Sequence, residues 1–253
     1  MRRDHKRRYA PAQRDLAEMH SNLGRVHTRR RDLAAARLAF GETLKIVRQL
    51  AADEGKVNVL THRDLLVNYQ NLAAVASKAG DFRETIDWLT QALAVANGRP
   101  DVFAGESRYL EGRLRILRAA AKVFDNIDAI KEVPEADRPE VLGATIISFV
   151  QRKNLDKALA TADRLAQLGT KPGDLYNSAC GYALCVPLAD KPEVKERYAA
   201  LAVSLLKQAA AQDYKVVARM DQDSDLDALR ERDDFKVLLR ESAERKPEIP
   251  QKR

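Results

Sequence analysis

Apolar residues recur along this chain three and four positions apart, in stretches long enough for helices. Leu16, Met19 with His20, Leu23, and Val26 with His27 fall on one side of a helix. After a polar gap, Leu33, Ala36, Phe40 and Leu44 repeat the spacing. The pattern restarts at Leu65, Tyr69, Leu72 and Val75 with Ala76, and again at Phe82, Ile86, Leu89 and Leu93. Each interruption carries helix-stop and helix-start residues: Asp32 in the first, Gly80 followed by Asp81 in the second. The spacing predicts pairs of amphipathic helices with each apolar set turned inward. Runs of alternating Val, Ile, Thr and Tyr are nearly absent, so no strand is predicted.

The two pairs are copies. Residues 14–48 laid on residues 63–97, an offset of 49, agree at Arg14/Arg63, Asp15/Asp64, Leu16/Leu65, Asn22/Asn71, Leu23/Leu72, Val26/Val75, Asp32/Asp81 and Leu44/Leu93. Self-similarity at such a period marks a repeat architecture. It also explains "THRDLLVNYQN" at 61–71, which looks like the catalytic loop of a protein kinase. Asp64 has a twin, Asp15, with no histidine ahead of its arginine. Asn68 falls one residue early for a metal-binding asparagine, and no glycine-rich phosphate loop or D-F-G accompanies it. Arg63 and Asp64 read instead as the charged first turn of a helix, with the acid near the positive end of the dipole.

The paired pattern resembles the tetratricopeptide repeat (TPR) family. The matching residues in the first copy are His20, Leu23-Gly24, His27, Ala36, Phe40 and Thr43. In the second they are Tyr69, Leu72-Ala73, Ala76, Thr85, Leu89 and Ala92. A third match has Leu142, Thr145-Ile146, Phe149, Ala158, Ala162 and Leu165. A fourth has Tyr176, Ala179-Cys180 and Ala183, then, past an enlarged loop, Ala202, Leu206 and Ala209. Between copies two and three lies a degenerate pair: a long helix to about Val123, then a short one stopped by Pro134. The resemblance implies an all-α fold, a TPR-like right-handed superhelix of about five antiparallel helix pairs with a short C-terminal capping helix. The pairs fall at about 12–52, 57–97, 103–134, 138–169 and 173–213, after a basic frayed N-terminus at 1–11. A cap at 214–243 and a disordered tail at 244–253 follow.

The C-terminal part resembles, more narrowly, the end of the TPR arrays of large bacterial serine/threonine protein kinases. Its residues are "YNSACGYAL", "RYAALAVSLLKQAAAQDY" and "MDQDSDLDALRERDDFKVLL". There an acidic segment and a last helix close the array; here Leu226, Leu229, Phe235, Leu238 and Leu239 would fold over the last pair. The kinase domain of that family, which lies upstream, has no counterpart in this sequence. The resemblance therefore implies a separated or independently encoded TPR portion.

Composition sharpens this picture at a few points. Eleven glycines and nine prolines are too few for a many-stranded barrel, while aromatics at 6 % and charges at 32 % suit solvated helices. The formal charge of +7 is local. Residues 1–31 hold ten Lys/Arg and three acids, and the other 222 hold 34 of each sign. That location supports an alternative, nucleic-acid or anionic-surface binding through the basic N-terminal segment, although no aromatic interleaving accompanies it. Cys180 and Cys185 are five apart, about 140° round a helix, and read as packing residues in a reducing compartment. His20 and His27 sit at packing positions and lack the spacing of a zinc pair. Trp88 and Phe82 read as core or inter-repeat packing. No apolar run reaches membrane-spanning length and no secretion signal stands at the N-terminus, so a cytoplasmic location is expected.

These readings converge on a binding module rather than an enzyme, with no catalytic residue, cofactor or metal expected. The resemblance implies that a peptide lies in the inner groove, lined by helix residues that avoid the core. Those are Ser21, Arg25, Thr28 and Arg29, then Gln70, Ala74, Ser77 and Lys78. The set is polar and net positive, suited to a protein or peptide partner with acidic groups. It does not reproduce the clamp that other TPR domains use for a chaperone's C-terminal carboxylate.

Overall fold

The computed structural model describes residues 2–55, 58–169, 171–217 and 220–244, with side chains described for these except 2–9, 214 and 217. Residue 57, where the second pair was expected to start, and most of the expected tail, 245–253, lie outside the described residues. Among the described residues there are helices and no strand, and neighbouring helices pack consecutively.

The α-helices are α1 (Arg2–Arg29), α2 (Leu33–Glu54), α3 (Val59–Lys78), α4 (Phe82–Asn97), α5 (Pro100–Asp125) and α6 (Arg138–Gln151). They continue as α7 (Leu155–Leu168), α8 (Pro172–Cys185), α9 (Pro192–Gln212), α10 (Tyr214–Val217) and α11 (Asp233–Glu244). The backbone of α1 is already helical at Arg2, with Pro11 inside it, so the segment read as frayed continues the first helix.

One turn is used three times. After α1, α3 and α6 the chain enters the left-handed region, at Arg31 (φ 60°), Gly80 (φ 74°) and Lys153 (φ 55°). The next residue caps the following helix: Asp32 accepts from Ala35 N, Asp81 from Glu84 N and Asn154 from Lys157 N. Its own N–H reaches back to close the preceding helix, from Asp32 to His27 O, Asp81 to Ala76 O and Asn154 to Phe149 O. Orphan groups at both helix ends are thus satisfied within four residues, which fixes each antiparallel pair.

The chain divides into two compact units, residues 1–121 and 122–253. In the first, α2 packs between α1 and α3, and α4 packs on α3. The α1–α2 crossing is set by small residues. A Cβ at Gly24 would lie 2.7 Å from the Phe40 ring, and Thr43 donates to the carbonyl of Ala17 (3.3 Å). On its other side α2 meets α3, where Asn68 Nδ2 donates to Phe40 O (3.1 Å) and Arg48 Nε to Tyr69 OH (3.1 Å). The Tyr69 ring stacks on Trp88 of α4 at 6.0 Å.

This arrangement corrects the reading of α1. Leu16, Met19, Leu23 and Val26, expected to face inward, are 45, 67, 47 and 40 % exposed. Helix α1 instead presents Ala17 and Gly24 to α2, with His20, Ser21, His27 and Thr28 half-buried beside them. The reason is steric. Gly24 permits close approach to the Phe40 ring and Ala17, seven residues earlier, to Thr43, and the helix is rotated to use them.

The degenerate pair also differs from expectation. Helix α5 runs to Asp125, interrupted near its start at Phe103 (φ −115°, ψ 24°). Its short companion is a 3-10 stretch, Ile127–Glu132, which ends before Pro134.

In the second unit α6 packs on α7 and α8, α7 on α8, and α8 on α9. Phe149, Ala158 and Cys185 form a cluster with Phe124, Leu155 and Leu159 around them. The 3-10 stretch Ser224–Leu229 lies on α8 and α9, and α11 packs on α9. Leu226, Leu229, Phe235 and Leu238 are buried and Leu239 is half-buried, so the C-terminal segment covers the α8–α9 pair. Polar ties hold it there. Tyr176 OH donates to Asp223 (2.7 Å), whose other oxygen caps Asp225 N, and Arg232 donates to Glu196 on α9 (2.6 Å).

Candidate interaction surface

Helices α1 and α3 run in the same direction, each antiparallel to α2 between them. Arg14, near the middle of α1, ties the three together at the start of α3: its Nη2 donates to both Glu54 carboxylate oxygens (2.7 and 2.8 Å) and to Thr61 Oγ1 (3.1 Å). Thr61 and Asn58 also donate to Glu54, and Asn58 caps α3. Ser21 and Thr28 follow Arg14 on the α3-facing flank of α1, seven residues apart, and are half-buried there. The Thr28 hydroxyl is spent on Gly24 O (2.7 Å).

Beyond that flank each helix has an open face. On α1 it carries Asp15, Glu18, Asn22, Arg25 and Arg29, all exposed. On α3 it carries Asp64, Val67, Ala74 and Lys78, exposed, with Asn71 half-buried among them. Of the eight residues expected to line a groove, Arg25, Arg29, Ala74 and Lys78 lie on these faces. Ser21, Thr28, Gln70 and Ser77 recede to the flanks. Sequence reasoning missed Asp15, Glu18, Asn22 and Asp64. The offset of 49 could have pointed to Asp15, Asp64 and Asn22, because it pairs Asp15 with Asp64 and Asn22 with Asn71, as it pairs Arg29 with Lys78; Glu18 falls against Val67 and carries no such signal. Their inclusion changes the electrostatics. With them the open faces carry acids at Asp15, Glu18 and Asp64 and bases at Arg25, Arg29 and Lys78, the bases lying nearer the C-terminal end of each helix. Arg25 leans on Asn22 Oδ1 at 2.6 Å and keeps its charge towards solvent.

The kinase-like letters lie on the first turns of α3, not on a loop. His62 Nδ1 is 2.8 Å from Asn58 O, Thr61 is engaged with Glu54, and Asn68 is buried against α2. Partial burial raises the Asp64 carboxyl above its usual range, opposed by the charge of Arg14.

The other singled-out residues have packing partners. His27 Nδ1 is 3.6 Å from the Asp32 carboxylate. Trp88 is half-buried, donating to Glu84 Oε1 (3.2 Å), and Phe82 is buried. Cys180 and Cys185 are free and buried; burial pushes both thiols up, Cys185 to about 12. A thiol held protonated is a poor nucleophile. Burial together with the Asp223 bond likewise raises the Tyr176 phenol. Among the described residues no group of three or more His, Cys, Asp or Glu is placed to hold a metal ion, and no helix is long and apolar enough to cross a membrane. The chain matches no protein-family model, no curated protein and no solved structure.

Proposed function

We propose that this chain is a non-catalytic protein–protein interaction module that holds an extended peptide or protein segment across the open faces of α1 and α3. In this reading the helix pairs are TPR-type repeats in a right-handed superhelix. The module works as the scaffold, adaptor or regulatory arm of a bacterial serine/threonine kinase system in the cytoplasm. The observation that supports the binding role is the exposed, charged surface itself. Arg25, Arg29 and Lys78 stand exposed towards the C-terminal ends of two helices that run the same way, and Arg25 donates to the Asn22 amide oxygen. Acidic groups of a partner would sit at that end, and affinity would come from several shallow contacts.

The test is a fluorescence-anisotropy titration of an acidic peptide panel against the wild type and the triple variant Arg25→Glu, Arg29→Glu, Lys78→Glu. The reading expects at least a ~10-fold loss of affinity, equivalent to ~1.4 kcal/mol. An unchanged binding profile overturns the surface assignment. A second reading rests on the ten Lys/Arg and three acids of residues 1–31: contact with nucleic acid or another polyanion through the N-terminal segment. The same titration with a DNA probe, over a salt series and without residues 1–13, decides it. Binding indifferent to both salt and truncation removes this second reading.

A further inference from the structure

The helices α1 and α3 each have two apolar seams. One meets the helix that follows: Ala17, His20, Gly24 and His27 on α1 correspond to Leu66, Tyr69, Ala73 and Ala76 on α3. The other, on α3, is Leu65, Asn68, Leu72 and Val75, and it is covered by the preceding helix, α2, which runs antiparallel to it. The equivalent seam on α1 is Leu16, Met19, Leu23 and Val26, and it lies bare on the flank away from α3. Its spacing, three, four and three, is that of an a/d stripe in a two-helix coiled coil.

We infer that this seam pairs with its own copy, α1 against α1 of a second chain, antiparallel and two-fold. The charges beside the stripe select that partner and direction. Written as heptads, Leu16 and Leu23 are a positions and Met19 and Val26 are d positions. An antiparallel pair then sets Leu16 against Val26 and Met19 against Leu23 of the partner. The g positions on one edge are Asp15, Asn22 and Arg29. In that register Asp15 of each chain meets Arg29 of the other, and Asn22 meets itself across the axis. One stripe is therefore complementary to itself in charge and in shape, which is the requirement for an isologous interface that closes. A parallel pair would set Asp15 beside His20 and lose the match. The antiparallel direction is also the one in which α2 already covers the same seam of α3.

A single helix face is smaller than the ~800 Å² per partner of a standard stable interface. The pairing is accordingly expected with a Kd of about 10–100 μM.

Sedimentation velocity of the full chain over ~5–500 μM at physiological salt tests it. The wild type should pass from monomer to dimer across that range. Leu23→Asp and Met19→Asp, at exposed positions, should each leave a monomer with unchanged circular dichroism. Asp15→Arg and Arg29→Asp should each weaken the dimer several-fold, and the double reversal should restore it. As a check independent of stability, Asn22→Cys should form a disulfide-linked dimer under mild oxidation, whereas Arg25→Cys, three residues on, should not. Cys180 and Cys185 are buried and do not compete. A chain that stays monomeric across that range overturns the inference. A dimer that survives Leu23→Asp, or is not restored by the double reversal, overturns it equally.

Discussion

Leu23 and Leu72 occupy the same place in two copies of one pattern, yet Leu23 is 47 % exposed and Leu72 is 3 % exposed. The neighbouring pairs behave alike: Leu16 against Leu65 at 45 and 8 %, Val26 against Val75 at 40 and 0 %. The residues are identical, the helices are of the same kind, and their partner helices cross them on corresponding seams. The difference is one neighbour. Helix α3 has α2 packed on this seam, whereas among the described residues no helix buries the seam of α1. Amino-acid type set the tendency to form a seam, and position in the stack decided whether the seam was filled.

The largest effect should separate these two leucines. Leu72→Ala removes a filled site and should cost ~2–4 kcal/mol, whereas Leu23→Ala should cost under ~1 kcal/mol. Urea unfolding at low micromolar concentration, where self-association is negligible, measures both. Equal costs would mean that Leu23 is buried in solution.

A second contrast lies in the crossings. The first copy pairs Gly24 with Phe40, and the second carries Ala73 and Leu89 at the same places. Gly24→Ala should force its Cβ into the Phe40 ring and cost ~1–3 kcal/mol. Adding Phe40→Leu installs the second copy's pair and should recover part of the loss. A double variant no better than the sum of the single changes would show that the two sites are not coupled.

The smallest effect concerns the shared turn. Gly80 suits its left-handed conformation, while Arg31 and Lys153 adopt it with a side chain. Arg31→Gly and Lys153→Gly should each stabilise by ~0.5–1 kcal/mol, and Gly80→Ala should destabilise by ~1 kcal/mol. Thermal unfolding reads the signs. A loss on either glycine substitution would mean that the arginine or lysine side chain holds the turn by a contact outweighing its backbone strain.

Much of this was legible beforehand. Asp32 and Gly80-Asp81 marked the turns, because capping and left-handed backbone demand those residue types. The 3-4 spacing marked the helices. The C-terminal cover by Leu226, Leu229, Phe235 and Leu238 was expected only from a family resemblance, and all four are buried. The turn at Lys153 was less legible, since a lysine carries no sign of a positive φ and only Asn154 betrays the cap. Of the residues expected to line a groove, Arg25, Arg29, Ala74 and Lys78 stand on the open faces of α1 and α3. Ser21, Thr28, Gln70 and Ser77 are half-buried, because they lie on the flanks beside neighbouring helices.

By itself the sequence determined the helices, their pairing and the repeat, because periodicity, caps and glycines act within a few residues of one another. Tertiary structure alone decided which seam of each helix is covered. That depends on what stands beside the helix, and identical residues forty-nine positions apart have different neighbours.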